Sequence, residues 1–467
     1  MAVCSRAAAM SRLCCVVAMQ PRDLWSLVTR CLPKLLDLSR SLLKRLRKCE
    51  HFGSPWMDSR SVVGTMPELP QDMLMSIFAA LEIPDLVRAG SVCSSWHAAY
   101  TSLRNLGRYR ESQTPCLLYT SESAGENVAC LYSLAEQRVY KFTLPEPPIR
   151  SRFLIGSSNG WLITADERSE LHLVNPITTE QIALPSVITI EEVNPIFDAS
   201  GTIHKYELSY YSRNEEGLEE PETIALSDLR EYLYLKAFVF PDLSTGSYIV
   251  VIIHRPCNQL SFARPGDYKW TCLSHKYHYT DCVFMDGLLY AVTSLGEVHA
   301  FDLTSTNVTM TVIIGELKRG IYELMYIVQA PWGDLMQVWM TRDICRLVDD
   351  PSVPSVRIRK ITVYKVDIVA KELVEINNLP DHMLFLGHTN SLCLSAEYHP
   401  QLKANCVYYT DDWFELIRHF KNEAREIGVF DMENSSKAEI VPPVWSNWPS
   451  PTWITLNLGR MNLAFSK

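Results

Sequence analysis

The sequence predicts a mixed class, α+β as separate domains: an N-terminal three-helix module followed by an all-β, propeller-like domain of roughly five to seven blades. Three observations predict it. Residues 68–104 carry aliphatic side chains at helical spacing between proline breaks. Beyond residue 112, short apolar runs alternate with Gly, Pro, Asp and Asn, which is strand-and-turn texture. One strand–turn–strand plan then recurs along that second part. The predicted divisions are a basic, partly helical or disordered extension over 1–65, the helical module over 66–111 and the β domain over 112–460.

Bulk properties bound the function. At 467 residues the chain is too long for one ordinary core, and its 47% hydrophobic and 21% charged residues are those of a globular protein. A net charge of −9 gives no basic face for nucleic acid. No apolar run approaches the roughly 20 residues that span a bilayer. The 14 cysteines are scattered with no C-x-x-C pair, and Cys93, Cys130, Cys282 and Cys406 sit in apolar runs. They read as reduced, buried thiols of a nuclear or cytoplasmic protein; the sequons at Asn307 and Asn434 are then chance matches.

The opening 60 residues hold eleven Lys and Arg, from Arg6 to Arg60, against Asp23, Asp37, Glu50 and Asp58. Leu13–Ala18 after two arginines is similar to a short signal-peptide core, and an Arg-rich opening also suits a transit peptide. Leu35, Leu36, Leu38, Leu42, Leu43 and Leu46 favour the plainer reading, a basic extension with some helix. Organelle targeting through this segment is the alternative to the nucleus or cytoplasm.

In the helical module, Pro70 suits a first helical turn and Asp72 complements the positive end of that helix. Leu74, Ile77, Phe78 and Leu81 follow i, i+3, i+4, i+7 and form an apolar stripe. Pro84 breaks the helix, Asp85 opens a second, and Val92, Cys93 and Trp96 mark a third. A piece of this size rarely folds alone without metal or disulfide, so the stripe is expected to meet another surface: a partner, or the chain's own downstream domain. Burying each large aliphatic side chain supplies roughly 1.5–3 kcal/mol.

The run resembles the F-box. The residues that carry the resemblance are Leu69-Pro70, Asp72, Leu74, Ile77, Leu81, Asp85-Leu86 and Val92-Cys93-Ser94-Ser95-Trp96. It departs at Ser94 and Ser95, where the family usually has Lys and Arg. The resemblance implies docking of these residues onto a Skp-type adaptor and, through it, a cullin.

In the β domain, Asp286-Gly287 is a two-residue hairpin signal, Leu295-Gly296 a second turn, and Trp332-Gly333-Asp334 a third. The repeated plan ends strands at Asn175, Asp302, Asp367 and Asp431, with gaps of 127, 65 and 64 residues. A degenerate copy at Asp242 would divide the long gap. These gaps exceed the ~40–50 residues of ordinary blades, so loops are expected between strands, at 212–232 and 341–358. The stretches IGSSNGWLITAD (155–166), LVNPITTEQIALP (173–185), 282–302 and 326–339 resemble the plant-specific domain found behind an F-box in many cereal proteins, sometimes described as kelch-like. That resemblance implies a receptor surface and supplies no catalytic residue.

Two motifs tempt toward catalysis or metal. Gly156-x-Ser158-x-Gly160 matches a serine-hydrolase elbow, which needs a following helix; Trp161–Thr164 reads instead as a strand, so a tight β-turn is expected. Cys272, His275, His278 and Cys282 lack the paired spacing of structural zinc sites, and His254 and Cys257 do not repair it. The expectation is no catalytic residue, no cofactor and no metal. Glu215, Glu216, Glu219 and Glu220 read as a solvated loop; Trp445, Trp448 and Trp453 read as packing for a last strand, Ile454–Leu458, that closes the ring on the first blade. The leading expectation is therefore the substrate-recognition subunit of an SCF-type cullin-RING ubiquitin ligase, without membrane or nucleic-acid partners. The alternatives are a regulatory adaptor-binding protein that degrades nothing, and a propeller enzyme.

Overall fold

A computed structural model describes residues 69–209, 221–242, 246–304, 308–317, 323–346, 354–410, 426–440 and 448–459. The basic extension, Glu215, Glu216, Glu219, Glu220, Asn307 and Trp445 lie outside them. The chain divides into two compact units, Met1–Gln113 and Thr114–Lys467.

In the first unit three helices follow the sequence punctuation: α1 (Gln71–Phe78), α2 (Ile83–Ala89) and α3 (Ser94–Leu106). Pro70 caps α1 with Asp72 in its first turn, and Pro84 sits at the start of α2. Gln113 tethers the end of the unit to α2, its Oε1 accepting the Ile83 N–H at 2.7 Å. Gly107 ends α3 in the left-handed region (φ 62°), with the Arg108 N–H bonding back to the Leu103 carbonyl at 3.1 Å. Gly90 lets α2 and α3 meet, since a Cβ there would lie 2.7 Å from Cγ of Tyr100.

The second unit is a ring of blades. Blade one contains β1 (Cys116–Thr120), β2 (Ala129–Ser133) and β3 (Arg138–Phe142). Blade two is β4 (Phe153–Ser158), β5 (Trp161–Ala165), β6 (Leu171–Val174) and β7 (Gln181–Ala183). Next comes a three-stranded side sheet, β8 (Val193–Phe197), β9 (Ile203–Leu208) and β10 (Glu222–Ala225), running into α4 (Leu226–Leu233). Blade three is β11 (Tyr234–Asp242), β12 (Ser247–His254), β13 (Gln259–Ala263) and β14 (Thr271–Ser274). Blade four is β15 (Tyr279–Met285), β16 (Leu288–Thr293), β17 (Val298–Asp302) and β18 (Thr309–Ile314). Blade five is β19 (Glu323–Gln329), β20 (Leu335–Arg346), β21 (Pro354–Asp367) and β22 (Glu372–Ile376). Blade six is β23 (His382–Leu386), β24 (Leu392–Ser395), β25 (Cys406–Thr410), β26 (Ile427–Asp431) and β27 (Lys437–Glu439). A last strand, β28 (Thr452–Ile454), returns to β1 with Leu117 opposite Trp453.

Separate apolar cores join blades three and four, four and five, five and six, and six and one. Blades two and three share a core with the side sheet, which packs beside them and supplies no strand to the ring. The ring therefore has six blades among the described residues, inside the expected range. Closure by the C-terminal strand is also as the tryptophan-rich end suggested, over Thr452–Ile454 in place of Ile454–Leu458. Trp453 is 2% exposed and meets Phe385 of blade six edge-on at 5.2 Å.

The repeated Asn/Asp has a physical cause. Asn175, Asp367 and Asp431 each stand at the end of the last strand but one of a blade, and each side-chain oxygen accepts backbone N–H groups two and three residues on: Ile177 and Thr178, Val369 and Ala370, Glu433 and Asn434. Asp302 bonds the Thr304 N–H in the same way at 2.8 Å. Four residues on, Thr179, Lys371 and Ser435 have φ of 57°, 58° and 54°. The overlooked copy is Ser133 in blade one, with Gln137 at φ 52° and the Glu136 N–H on the serine hydroxyl. Asp242 is not a copy, because it ends the first strand of blade three. The long gap is instead filled by the side sheet and α4, so 222–233 is strand and helix where a loop was expected. The expected loop at 341–358 is largely the extension of the β20–β21 hairpin, paired out to Arg346 and Pro354.

Candidate functional site

The helical module sorts its residues into an interior and a surface. Leu74, Phe78, Leu81, Ile83, Leu86, Ala89, Ala99, Tyr100 and Leu103 are buried. Phe78 meets Trp96 edge-on at 5.2 Å, so the C-terminal end of α1 lies against the start of α3, while Gln71 reaches Ser102 near its end. The stripe read from the sequence is thus mostly interior. Asp85 is also inside, paired with Arg88 at 2.8 Å. What remains outside is a second apolar set: Leu69 at 41%, Met73 at 36%, Val92 at 36% and Leu106 at 56% exposure, with Pro70, Asp72 and Cys93 exposed and Ile77 and Trp96 half-buried. Sequence reasoning missed Met73. The signal was there, since Leu69, Met73 and Ile77 are spaced four apart, on a face next to the buried one.

The second concentration of polar chemistry is the propeller axis. Asp281 on β15 is fully buried; its Oδ2 accepts from the Ile327 N–H of blade five at 3.1 Å and from Ser391 Oγ of blade six at 2.7 Å. Lys236 of blade three brings Nζ to 3.8 Å from the other oxygen and 4.7 Å from the centre of the Tyr326 ring. One carboxylate thereby joins four blades. Burial raises it to about 6, with Lys236 and the hydrogen bonds pulling the other way.

Blade six also departs from the simple meander: β23 pairs parallel with β25, and between β23 and β24 the buried segment with His388, Thr389 and Ser391 turns inward. There the Asn390 N–H bonds the Ser157 carbonyl of blade two at 3.3 Å, so the segment reaches blades two and four from blade six. Gly387 (φ 151°) makes this possible, because a Cβ would lie 2.1 Å from Oγ1 of Thr410.

The two tempting motifs resolve locally. Asn159 (φ 52°) and Gly160 (φ 84°) form a hairpin turn between β4 and β5, and Ser158 donates to the Val239 carbonyl at 2.7 Å with a strand on either side. The cysteine–histidine run disperses. Cys282 is buried in β15; Cys272 approaches His275 Nδ1 at 3.6 Å, with its thiol pushed up to about 12 by burial. His254 bonds Ser261 and the Arg255 carbonyl, and burial lowers it to about 4. Among the described residues no three His, Cys, Asp or Glu side chains are gathered as a metal would need, and no described helix is long and apolar enough to cross a membrane.

A three-helix F-box module ahead of a six-bladed ring defines the class: an F-box protein with a β-propeller. The KIB1-4 beta-propeller family model matches residues 131–431 and an F-box-like model matches 66–103, and the chain belongs to the KIB1-4 beta-propeller family. Among curated proteins it is similar to the Arabidopsis thaliana F-box protein SKIP23, 27% identical over 83% of this chain and 95% of that one. It is also similar to the Arabidopsis F-box protein At5g25290, 25% identical over 80% of this chain and 94% of that one. F-box protein KIB4 of the same plant is 22% identical over 76% and 84%.

Proposed function

We propose that the chain is the substrate-recognition subunit of an SCF-type cullin-RING ubiquitin ligase, working in the nucleus or cytoplasm. The F-box binds a Skp-type adaptor, the adaptor binds a cullin, and the propeller holds a protein substrate. The chain performs no bond chemistry in this role. It raises the local concentration of substrate beside the charged ubiquitin carrier on another subunit.

The observation that carries the reading is the second apolar set on the F-box. Leu69, Met73 and Val92 stay exposed on a module whose own core is already filled, and exposed aliphatics of this size favour an intermolecular surface. The predicted docking residues then divide into two roles. Leu69, Pro70, Asp72, Ile77, Val92, Cys93 and Trp96 contact the adaptor, whereas Leu74, Leu81, Asp85 and Leu86 hold the helices that present them.

The test is co-precipitation of the tagged full chain, probed for adaptor and cullin, beside the Leu69→Ala/Pro70→Ala double variant and Met73→Glu. The wild type is expected to bring down both partners and the variants neither, with unchanged thermal midpoints. Absence of adaptor from the wild type, or its retention by both variants, overturns the reading. Adaptor without cullin would transfer it to the regulatory, non-degradative role.

A further inference from the structure

We propose that the rim of the propeller between blades five and six is a docking ledge for a lysine- or arginine-bearing segment of a partner protein. As the substrate surface of the receptor, it rests on the reading above. The ledge is built from three short pieces of chain. The β19–β20 turn presents Trp332, 46% exposed, on a backbone turned by Gly333 at φ 98°. Its indole is held in place by Nε1 donating to Asp334 at 2.8 Å and by a T-shaped contact with the His382 ring, centroids 4.6 Å apart. His382 begins β23 opposite Ser395, and the Ala396 N–H bonds the Asp381 carbonyl at 2.8 Å, which brings the loop after β24 alongside. That loop carries Glu397 and then Tyr398, 60% exposed.

Trp332, His382, Asp381, Glu397 and Tyr398 therefore form one contiguous run of exposed or half-buried side chains. Its chemistry has a definite sign. Asp381 and Glu397 are exposed and engage no ion pair among the described residues. The nearby ammonium is already used: Lys365 is held by Asp334 at 2.9 Å. Aromatic faces beside free carboxylates attract a cation twice, through the ring quadrupole and through direct charge. An anionic partner would meet repulsion there, and a purely aliphatic one would leave the carboxylates uncompensated. Preorganisation of the indole by Asp334 and His382 lowers the ordering cost of such a contact.

The test is fluorescence anisotropy with a labelled lysine–serine repeat peptide and a glutamate–serine repeat as comparison, on the full chain. Trp332→Ala and Tyr398→Ala are each expected to weaken the lysine peptide about 2- to 30-fold, and Trp332→Phe to restore most of the loss. Asp381→Asn/Glu397→Gln should reduce the salt dependence of binding. Tyr268→Ala, an equally exposed tyrosine elsewhere on blade three, should change nothing. Equal binding of both peptides, no binding by the wild type, or unchanged affinity in all ledge variants overturns the proposal. So does sedimentation showing self-association that Trp332→Ala abolishes, which would assign the ledge to a second copy. Adaptor capture is expected intact in every ledge variant, so failure here leaves the receptor reading standing, and loss of adaptor capture from the wild type fails that reading alone.

Discussion

Replacing Asp281 by Asn isolates the titration of a single carboxylate at the propeller axis. Burial holds this group near 6 in the folded protein against an ordinary value of 3.8. A folded-state value above the unfolded one means that the folded protein binds the proton more tightly. The stability linked to it is present in full below pH 4 and is lost as pH rises through 6. The interval between those two values corresponds to about 3 kcal/mol, of which about 2 kcal/mol falls between pH 4.5 and 7.5. The Asn side chain cannot ionise, and its oxygen can still accept from Ile327 and Ser391, so the variant lacks this dependence. Subtracting the two proteins cancels the titration of every other group. For a unit of about 350 residues, an unfolding entropy of roughly 2.1 cal/mol/K per residue converts 2 kcal/mol into about 3 °C. Thermal melts of both proteins across that range, at one scan rate, should show the wild type losing about 3 °C relative to Asp281→Asn as pH rises. A difference that stays constant with pH, or that moves the other way, refutes the assignment of a buried, acid-stabilised carboxylate to the axis.

Trp453→Ala removes the indole that joins the last strand to blades one and six and should lower stability by about 3–5 kcal/mol, read as a lower midpoint and faster proteolysis near the C-terminus. Gly160→Ala and Gly287→Ala separate crowding from backbone strain. Both glycines have positive φ, but a Cβ at 160 would lie 2.3 Å from Asn457 whereas at 287 it meets nothing within 4 Å. Chemical denaturation should show about 1 kcal/mol lost at 287 and a much larger loss at 160. Phe78→Ala should abolish adaptor capture together with loss of helical circular dichroism, while Leu69→Ala should weaken capture with the spectrum unchanged.

The features legible in the sequence were the local ones. Asp286-Gly287 folds as the hairpin its dipeptide specifies, with φ of 51° and 81°, because a two-residue turn is decided by the residues within it. The Asn/Asp repeat was visible for the same reason, since the side chain bonds its own next turn. The blade-one copy escaped because Ser133 performs that task with a hydroxyl. Non-local pairings left no such mark. Nothing in His382–Leu386 announces that it will run parallel to Cys406–Thr410, and nothing in Asp281 announces partners 46 and 110 residues away. In the F-box the pattern gave three helices and the Leu74, Phe78, Leu81 stripe, but periodicity does not say which face is covered: that stripe fills the module's own interior, and Met73 beside it is the exposed residue.

The pairing of β28 with β1 also sets the order of events during synthesis. The first strand of the ring leaves the ribosome more than 330 residues before its partner, and its edge stays open until Thr452–Ile454 arrive. The F-box precedes all of this and can finish folding first. On the proposed function, a message truncated between the F-box and Thr452 would thus yield a chain able to occupy an adaptor while offering an unclosed receptor, a poison subunit rather than a simple loss. Fusion of a bulky partner directly behind Ile454 should, by the same logic, be tolerated far less well than fusion ahead of the F-box.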